Sequence, residues 1–126
     1  MWLLFSHQDI VDIHDSVLNP GELTGFAGNK SLDGALGRVE SRIQYGSVTD
    51  EFDLASAYAL SIAQGHVFND GNKRTAFAVM DMCLYNHDFV MKWDVTEVGD
   101  IIIQVAQGKI DEVALATYLR KAKLAQ

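Results

Sequence analysis

The segment from Asp50 to Gln64 constrains the fold most, because it is apolar on almost every side. Its apolar residues are Phe52, Leu54, Ala55, Ala57, Tyr58, Ala59, Leu60 and Ile62. A helix with so little polar surface is usually surrounded by other elements of its domain. The segment therefore predicts a buried central helix, and Gly65 is a natural residue for that helix to end on.

Helical periodicity on both sides of this segment predicts the elements that surround it. Ser6 and Asp9 have the spacing of a helix start, and apolar residues follow them at helical intervals. The helix after Gly71 is expected to bury Phe77, Met80 and Leu84. The same signals predict helices over residues 32–45, 71–86, 96–107 and from 112 onward, with a short extended piece at residues 89–93. We therefore expect an all-α fold, in which residues 1–126 form a single compact bundle of about six helices.

Composition excludes several classes of function. Apolar residues make up 48% of the 126 residues, and there is one proline, which is typical of a compact folded domain. The formal net charge of −7 argues against direct nucleic-acid binding, which needs cations to neutralise phosphates. Cys83 is the only cysteine, which excludes an intrachain disulfide. The apolar start at residues 1–5 is too short for a signal peptide or a membrane span, so a cytoplasmic protein is expected.

A cluster of polar and charged residues lies in the loop between the predicted central helix and the next helix. The first turn of a helix presents unpaired N–H groups and the positive end of its dipole, which together suit a phosphate. Gly71 permits the backbone angles of an anion nest, and Lys73 and Arg74 add positive charge. Asn72 can bind phosphate, brace the loop or cap the helix. Each residue alone has an ordinary structural explanation, but together they predict a phosphate site.

Three further residues of this loop complete the predicted chemistry. Asp70 beside an anion site indicates a magnesium ion, because a hard cation can bridge a carboxylate and a phosphate. His66 is suited to take a proton from an attacking hydroxyl. Phe68 alternates with the polar residues and is predicted to turn inward, where it would anchor the loop.

The run His66-Val67-Phe68-Asn69-Asp70-Gly71-Asn72-Lys73-Arg74 resembles the signature of the Fic/Doc family, His-x-Phe-x-acid-Gly/Ala-Asn-Gly/Lys-Arg. The chain is similar to the Doc branch also in its length, in residues 12–15 and 37–39, and at Tyr45. The resemblance implies that His66 is the general base and Asp70 the magnesium ligand. It further implies that Gly71, Asn72, Lys73 and Arg74 hold the phosphates of a nucleotide, and that Phe68 is structural.

Two departures from the common Fic pattern bear on the reaction. Most Fic proteins are AMP-transferases with Gly in place of Lys73 and a second Arg in place of Phe77. The resemblance to Doc instead implies a protein kinase that transfers the γ-phosphate of ATP to a threonine of elongation factor Tu and so blocks translation. The alternatives are a Fic-type AMP-transferase and a catalytically silent partner-binding module.

The resemblance to Doc also implies a toxin of a toxin–antitoxin module. Some Fic proteins carry an inhibitory motif, Ser/Thr-x-x-x-Glu-Gly/Asn, but Phe52 follows Glu51 here and the motif fails. A separate antitoxin protein is therefore implied, which would bind in a groove that the sequence does not locate. The glycine-rich loop over residues 21–29 is either a flap that docks the target protein or a plain connector.

Overall fold

Six helices form where the sequence patterns predict them. The structure, a computed structural model, describes residues 2–28 and 30–122. The helices are α1 (His7–Val17), α2 (Leu32–Gln44), α3 (Glu51–Gly65), α4 (Asn72–Asn86), α5 (Val95–Ala106) and α6 (Glu112–Lys121). Residues 89–93 lie outside any helix, and the described part of the chain contains isolated β-bridges but no longer strand. The all-α prediction is confirmed.

Five of the six helices begin at a side chain that caps them. Ser6, Ser31, Asp50, Asp94 and Asp111 each accept a hydrogen bond from a backbone N–H of the first turn. Helix α4 is different, because it begins at Gly71 and has no side-chain cap within the described residues. Its first-turn N–H groups therefore remain available to a ligand.

Helix α3 is the centre of the bundle, as its apolar surface predicts. It packs against α2, α4, α5 and α6, and all six helices contribute side chains to one hydrophobic core. Its last helical residue is Gly65, and the left-handed cap is His66 at φ 48°, one residue later than expected. A Cβ at Gly65 would lie 3.2 Å from Val67 Cγ2 and 3.3 Å from Arg38 Nη2. Close packing, rather than a left-handed turn, thus explains the glycine at this position.

Helix α4 fully buries two of the three side chains that were expected in the core. Met80 and Leu84 are in the core, but Phe77 is only half-buried and packs edge-on against Trp93, with ring centroids 5.4 Å apart. The prediction that Phe77 is buried is therefore only partly confirmed, because its ring packs against the core on one side and lines a groove on the other. None of the described helices has the length and hydropathy to cross a membrane.

Cys83 offers a test of the packing of α4. It is fully buried, and burial raises the pKa of its thiol from an ordinary 9.0 to about 12. At pH 8 we expect about a thousandfold less thiolate in the folded protein than in the unfolded chain, and correspondingly slow labelling by a thiol reagent. A matched variant, Cys83→Ser with Met82→Cys, places a thiol at the exposed neighbouring position and should label rapidly. Equal labelling rates for the two proteins would contradict the packing of α4.

Candidate active site

Residues 66–74, the α3–α4 loop, carry the predicted active-site residues. His66 ends α3 with an exposed side chain and a left-handed backbone, which is uncommon for a residue other than glycine. Phe68 is 3% exposed and lies within the core, the position predicted for it. Asp70 is half-buried, and Asn72, Lys73 and Arg74 form the first turn of α4. The loop therefore places an imidazole at one end and two cations at the other.

His14 of α1 holds the middle of this loop. It is 1% exposed, and its imidazole stacks on the Phe68 ring with centroids 3.7 Å apart and planes 8° apart. Its Nε2 lies 2.7 Å from the backbone oxygen of Asp70, and its Nδ1 lies 3.0 Å from Asp15 Oδ1. A buried ring that stacks on one loop residue and hydrogen-bonds the backbone of another fixes both in place.

Asn72 braces the loop from the α4 side. Its Oδ1 accepts a hydrogen bond from the Phe68 N–H at 3.0 Å, and its Nδ2 donates to the Phe68 oxygen at 2.9 Å. Of the roles open to it from the sequence, the carboxamide thus performs the bracing role. The backbone N–H of Asn72 still belongs to the uncapped first turn of α4.

Gly71 is required where it stands. Its φ is +80°, and a Cβ there would lie 3.2 Å from Leu18 Cδ2 and 3.3 Å from Arg74 Nη2. Glycine adopts this conformation without strain, and a side chain would push against the guanidinium. The position supports the nest at the start of α4 that the sequence predicts.

The glycine-rich loop after α1 pairs with the α3–α4 loop. The Ala27 N–H donates to the Val67 oxygen at 2.7 Å, and the Asn69 N–H donates to the Gly25 oxygen at 3.2 Å. Phe26 and Phe68 form an antiparallel bridge, and their rings stack 5.5 Å apart. Residues 19–28, hereafter called the flap, are thus held against the α3–α4 loop, and docking of a target protein by this segment stays a prediction. Asn29, the last residue of the predicted segment, lies outside the described residues.

Residues of the flap also bind two of the charged side chains of the site. The Leu23 N–H donates to Asp70 Oδ2 at 2.8 Å. Glu22 forms an ion pair with the Nη2 of Arg74, and Arg74 Nε donates to the Val17 oxygen at 3.1 Å. Glu22 Oε1 accepts a second hydrogen bond, from the Asn19 N–H at 2.6 Å. In this arrangement a carboxylate of the flap neutralises one of the two cations assigned to phosphate.

The donor set fits a magnesium ion that is bound mainly by a nucleotide. No group of three or more His, Cys, Asp or Glu side chains capable of holding a metal exists among residues 2–28 and 30–122. Magnesium in phosphoryl-transfer sites commonly uses one or two carboxylates together with phosphate and water oxygens. Asp70 supplies such a carboxylate, next to the uncapped start of α4.

Two residues of the site could not be recognised from the sequence. His14 has no motif of its own, although it lies within one of the stretches, residues 12–15, that resemble Doc. Glu22 is one of 17 acidic residues in an acidic chain, so nothing in the sequence distinguishes it. His14 contacts Asp70 and Glu22 contacts Arg74, and more than 50 residues of chain separate the two members of each pair.

Comparisons with known proteins agree with this geometry. The model of the Fic/DOC family matches residues 4–84, which include α1 to α3, the flap and the α3–α4 loop. The chain is 32% identical over 117 residues to "Protein kinase doc" of Escherichia phage P1, and the match covers 92% of each chain.

Replacing His14 tests whether it holds the loop. His14→Phe keeps the stacked ring but leaves the Asp70 oxygen without its partner, which should lower the free energy of unfolding by about 1–3 kcal/mol. His14→Ala also leaves a cavity, and we expect a loss of about 3–5 kcal/mol. Urea unfolding would measure both free energies, with replacement of the exposed Lys109 by Gln as a control that should change the stability by less than about 0.5 kcal/mol. Wild-type stability in His14→Phe would contradict the role assigned to this histidine.

Proposed function

The chain belongs to the Fic/Doc family, and on that premise we propose that it is a protein kinase that transfers the γ-phosphate of ATP to a hydroxyl of a protein. The relative in phage P1 is named a protein kinase and aligns over most of both chains. We further propose that residues 1–126 act as one domain, because all six helices contribute to one core. A cytoplasmic location is part of the same proposal.

This proposal rests mainly on the uncapped start of α4. A helix N-terminus with available N–H groups, next to Lys73 and Arg74, is a site for phosphate oxygens. His66 lies at the other end of the same loop, with an exposed imidazole. The nucleotide phosphates and the acceptor hydroxyl can thus approach the loop from its two ends.

The proposed reaction needs one proton transfer and one displacement. His66 takes the proton of the acceptor hydroxyl as its oxygen forms a bond to the γ-phosphorus. The bond between that phosphorus and the β–γ bridging oxygen breaks, and ADP leaves with the electron pair. The first turn of α4, Lys73 and Arg74 stabilise the charge on the phosphate oxygens, which is the main demand of phosphoryl transfer. Asp70 would hold magnesium, whose charge offsets that of the phosphates when bound.

Lys73 and Phe77 favour the kinase over an AMP-transferase. Both residues line a groove of about 830 Å³ between α4 and α5. Lys73 brings a cation to a position where most AMP-transferases of the family have Gly, and Phe77 packs on Trp93 where they have a second Arg. Without that Arg, the site lacks one cation that would bind the phosphates of an AMP donor.

We propose that the protein is a toxin that modifies a threonine of elongation factor Tu and that a separate antitoxin neutralises it. The groove between α4 and α5 is the site that we assign to an antitoxin segment. Met82, Tyr85, Val95 and Ile103 are exposed there, and Lys73 and Arg74 line the same groove. An amphipathic helix with carboxylates facing these cations fits such a surface.

The test of the reaction uses purified protein, elongation factor Tu and magnesium with ATP labelled at either the α or the γ phosphate. We expect transfer of the γ label alone. Transfer of the α label would instead identify an AMP-transferase. With no transfer of either label, the choice of elongation factor Tu would be wrong, and a cell lysate would be the next substrate.

His66→Asn tests the general base within the same assay. Asn tolerates the left-handed backbone at this position better than most residues, so the loop should keep its conformation. We expect the transfer rate to fall about 10²–10⁴-fold while the melting temperature stays near that of the wild type. A variant that retained the full rate would rule out His66 as the base.

Glu22→Gln tests whether the flap competes with the nucleotide. The substitution removes the charge that pairs with Arg74 and retains an oxygen for the Asn19 N–H. We expect ATP to bind about three- to tenfold more tightly, because Arg74 then has no ion pair to break before it binds a phosphate. Titration calorimetry measures this, and the exposed Glu40→Gln of α2 is the matched control. An unchanged affinity in Glu22→Gln would show that the ion pair does not oppose nucleotide binding.

A further inference from the structure

A second polar cleft lies between α2 and the C-terminal half of α3, hereafter the α2–α3 cleft. Its volume is about 430 Å³. Lys30, Arg38 and Arg42 contribute positive charge to its lining, and Ser61 and Gly65 of α3 also line it. Among the residues that the structure describes, no acidic side chain lines the cleft, although the chain as a whole carries a net charge of −7. The cleft is therefore an electropositive site on an acidic protein.

The guanidinium of Arg38 is the cation of this cleft that is best placed for a ligand. Arg42 is already occupied, because its Nε forms an ion pair with Glu112 and its Nη1 donates to the Arg38 oxygen at 2.9 Å. Within the described residues, the guanidinium of Arg38 makes no hydrogen bond or ion pair. Its Nη2 lies 3.3 Å from the Cβ position of Gly65, so it lies against the end of α3. Its planar set of donors suits the two oxygens of a carboxylate or phosphate.

Two further features of the cleft also point to an anionic ligand. Ser61 is 2% exposed, and its hydroxyl has no hydrogen-bond partner among residues 2–28 and 30–122. A buried hydroxyl without a partner is costly unless a ligand or water satisfies it. The N-terminal end of α2, with its cap Ser31 and with Gly34, also lines the cleft, and the N-terminal end of a helix is the positive end of its dipole.

The position of the cleft indicates which molecule supplies the anion. Gly65 lines the cleft and directly precedes His66, whereas none of residues 71–74 lines it. The cleft thus extends to the residue that precedes the base, and it is separate from the groups assigned to the nucleotide phosphates. The molecule that must approach His66 is the one that carries the acceptor hydroxyl.

We propose that the α2–α3 cleft binds a carboxylate side chain of the protein substrate, with Arg38 as the specificity-determining contact. The proposal rests on the proposed function, since it assumes a protein that presents a hydroxyl to His66. The same oxyanion chemistry would also hold free inorganic phosphate, so the test has to distinguish the two sources.

Binding is tested by NMR on the full ¹⁵N-labelled chain, with the peptide acetyl-Glu-Glu-amide and inorganic phosphate as separate probes. We expect the peptide to shift the amide signals of Ser31, Gly34 and Gly65, and Arg38→Gln to weaken this binding about tenfold. Lys121→Gln, at the exposed end of α6, is the matched control and should bind as the wild type does. The proposal is overturned if Arg38→Gln binds the peptide equally well, or if phosphate shifts the same amides at lower concentration than the peptide.

A kinetic measurement distinguishes docking from a structural role. In Arg38→Gln we expect the KM for the protein substrate to rise about tenfold, with kcat and the KM for ATP unchanged. An unchanged KM for the protein would overturn the docking site and leave the proposed kinase intact. If the wild type transfers no phosphate to elongation factor Tu or to any protein of a cell lysate, the proposed function fails, and the peptide titration alone decides whether the cleft binds carboxylates.

Discussion

The burial of α3 is the constraint on which the rest of the structure depends. Because α3 has almost no polar surface, four other helices must cover it, and these neighbours determine where both of its ends lie. Its C-terminus emerges beside α2, and the α3–α4 loop begins there with His66. The site therefore stands at the end of a buried helix that is packed on four others, and such support is what positioned catalytic groups require.

The α3–α4 loop has little regular structure of its own, and its neighbours hold it from three directions. His14 of α1 binds the backbone of Asp70, Asn72 of α4 binds both backbone groups of Phe68, and the flap pairs with residues 67–69. These contacts fix the backbone and leave the imidazole of His66 and the first-turn N–H groups of α4 available. The flap also places Glu22 against Arg74, the guanidinium that we propose binds a nucleotide phosphate.

The sequence predicted the local features of this protein well. Five of the helix starts coincide with Ser or Asp caps, and the residues of the α3–α4 loop are contiguous, so their chemistry could be read together. It failed where the outcome depended on a distant neighbour. Phe77 was expected to be buried, but it packs against the core with only part of its ring and lines a groove beside Trp93 with the rest. No periodicity within α4 shows which of its sides the other helices leave uncovered.

By itself, the sequence determined the helices, the central place of α3 and the candidate residues of the loop, because each depends on spacing within one segment. Only the tertiary structure decided that His14 supports Asp70, that Glu22 neutralises Arg74, and that Arg38 lies beside the residue preceding His66. The physical reason is the same in each case. These contacts join residues 27 to 56 positions apart, and their energies arise only after the helices have packed, so no local pattern records them.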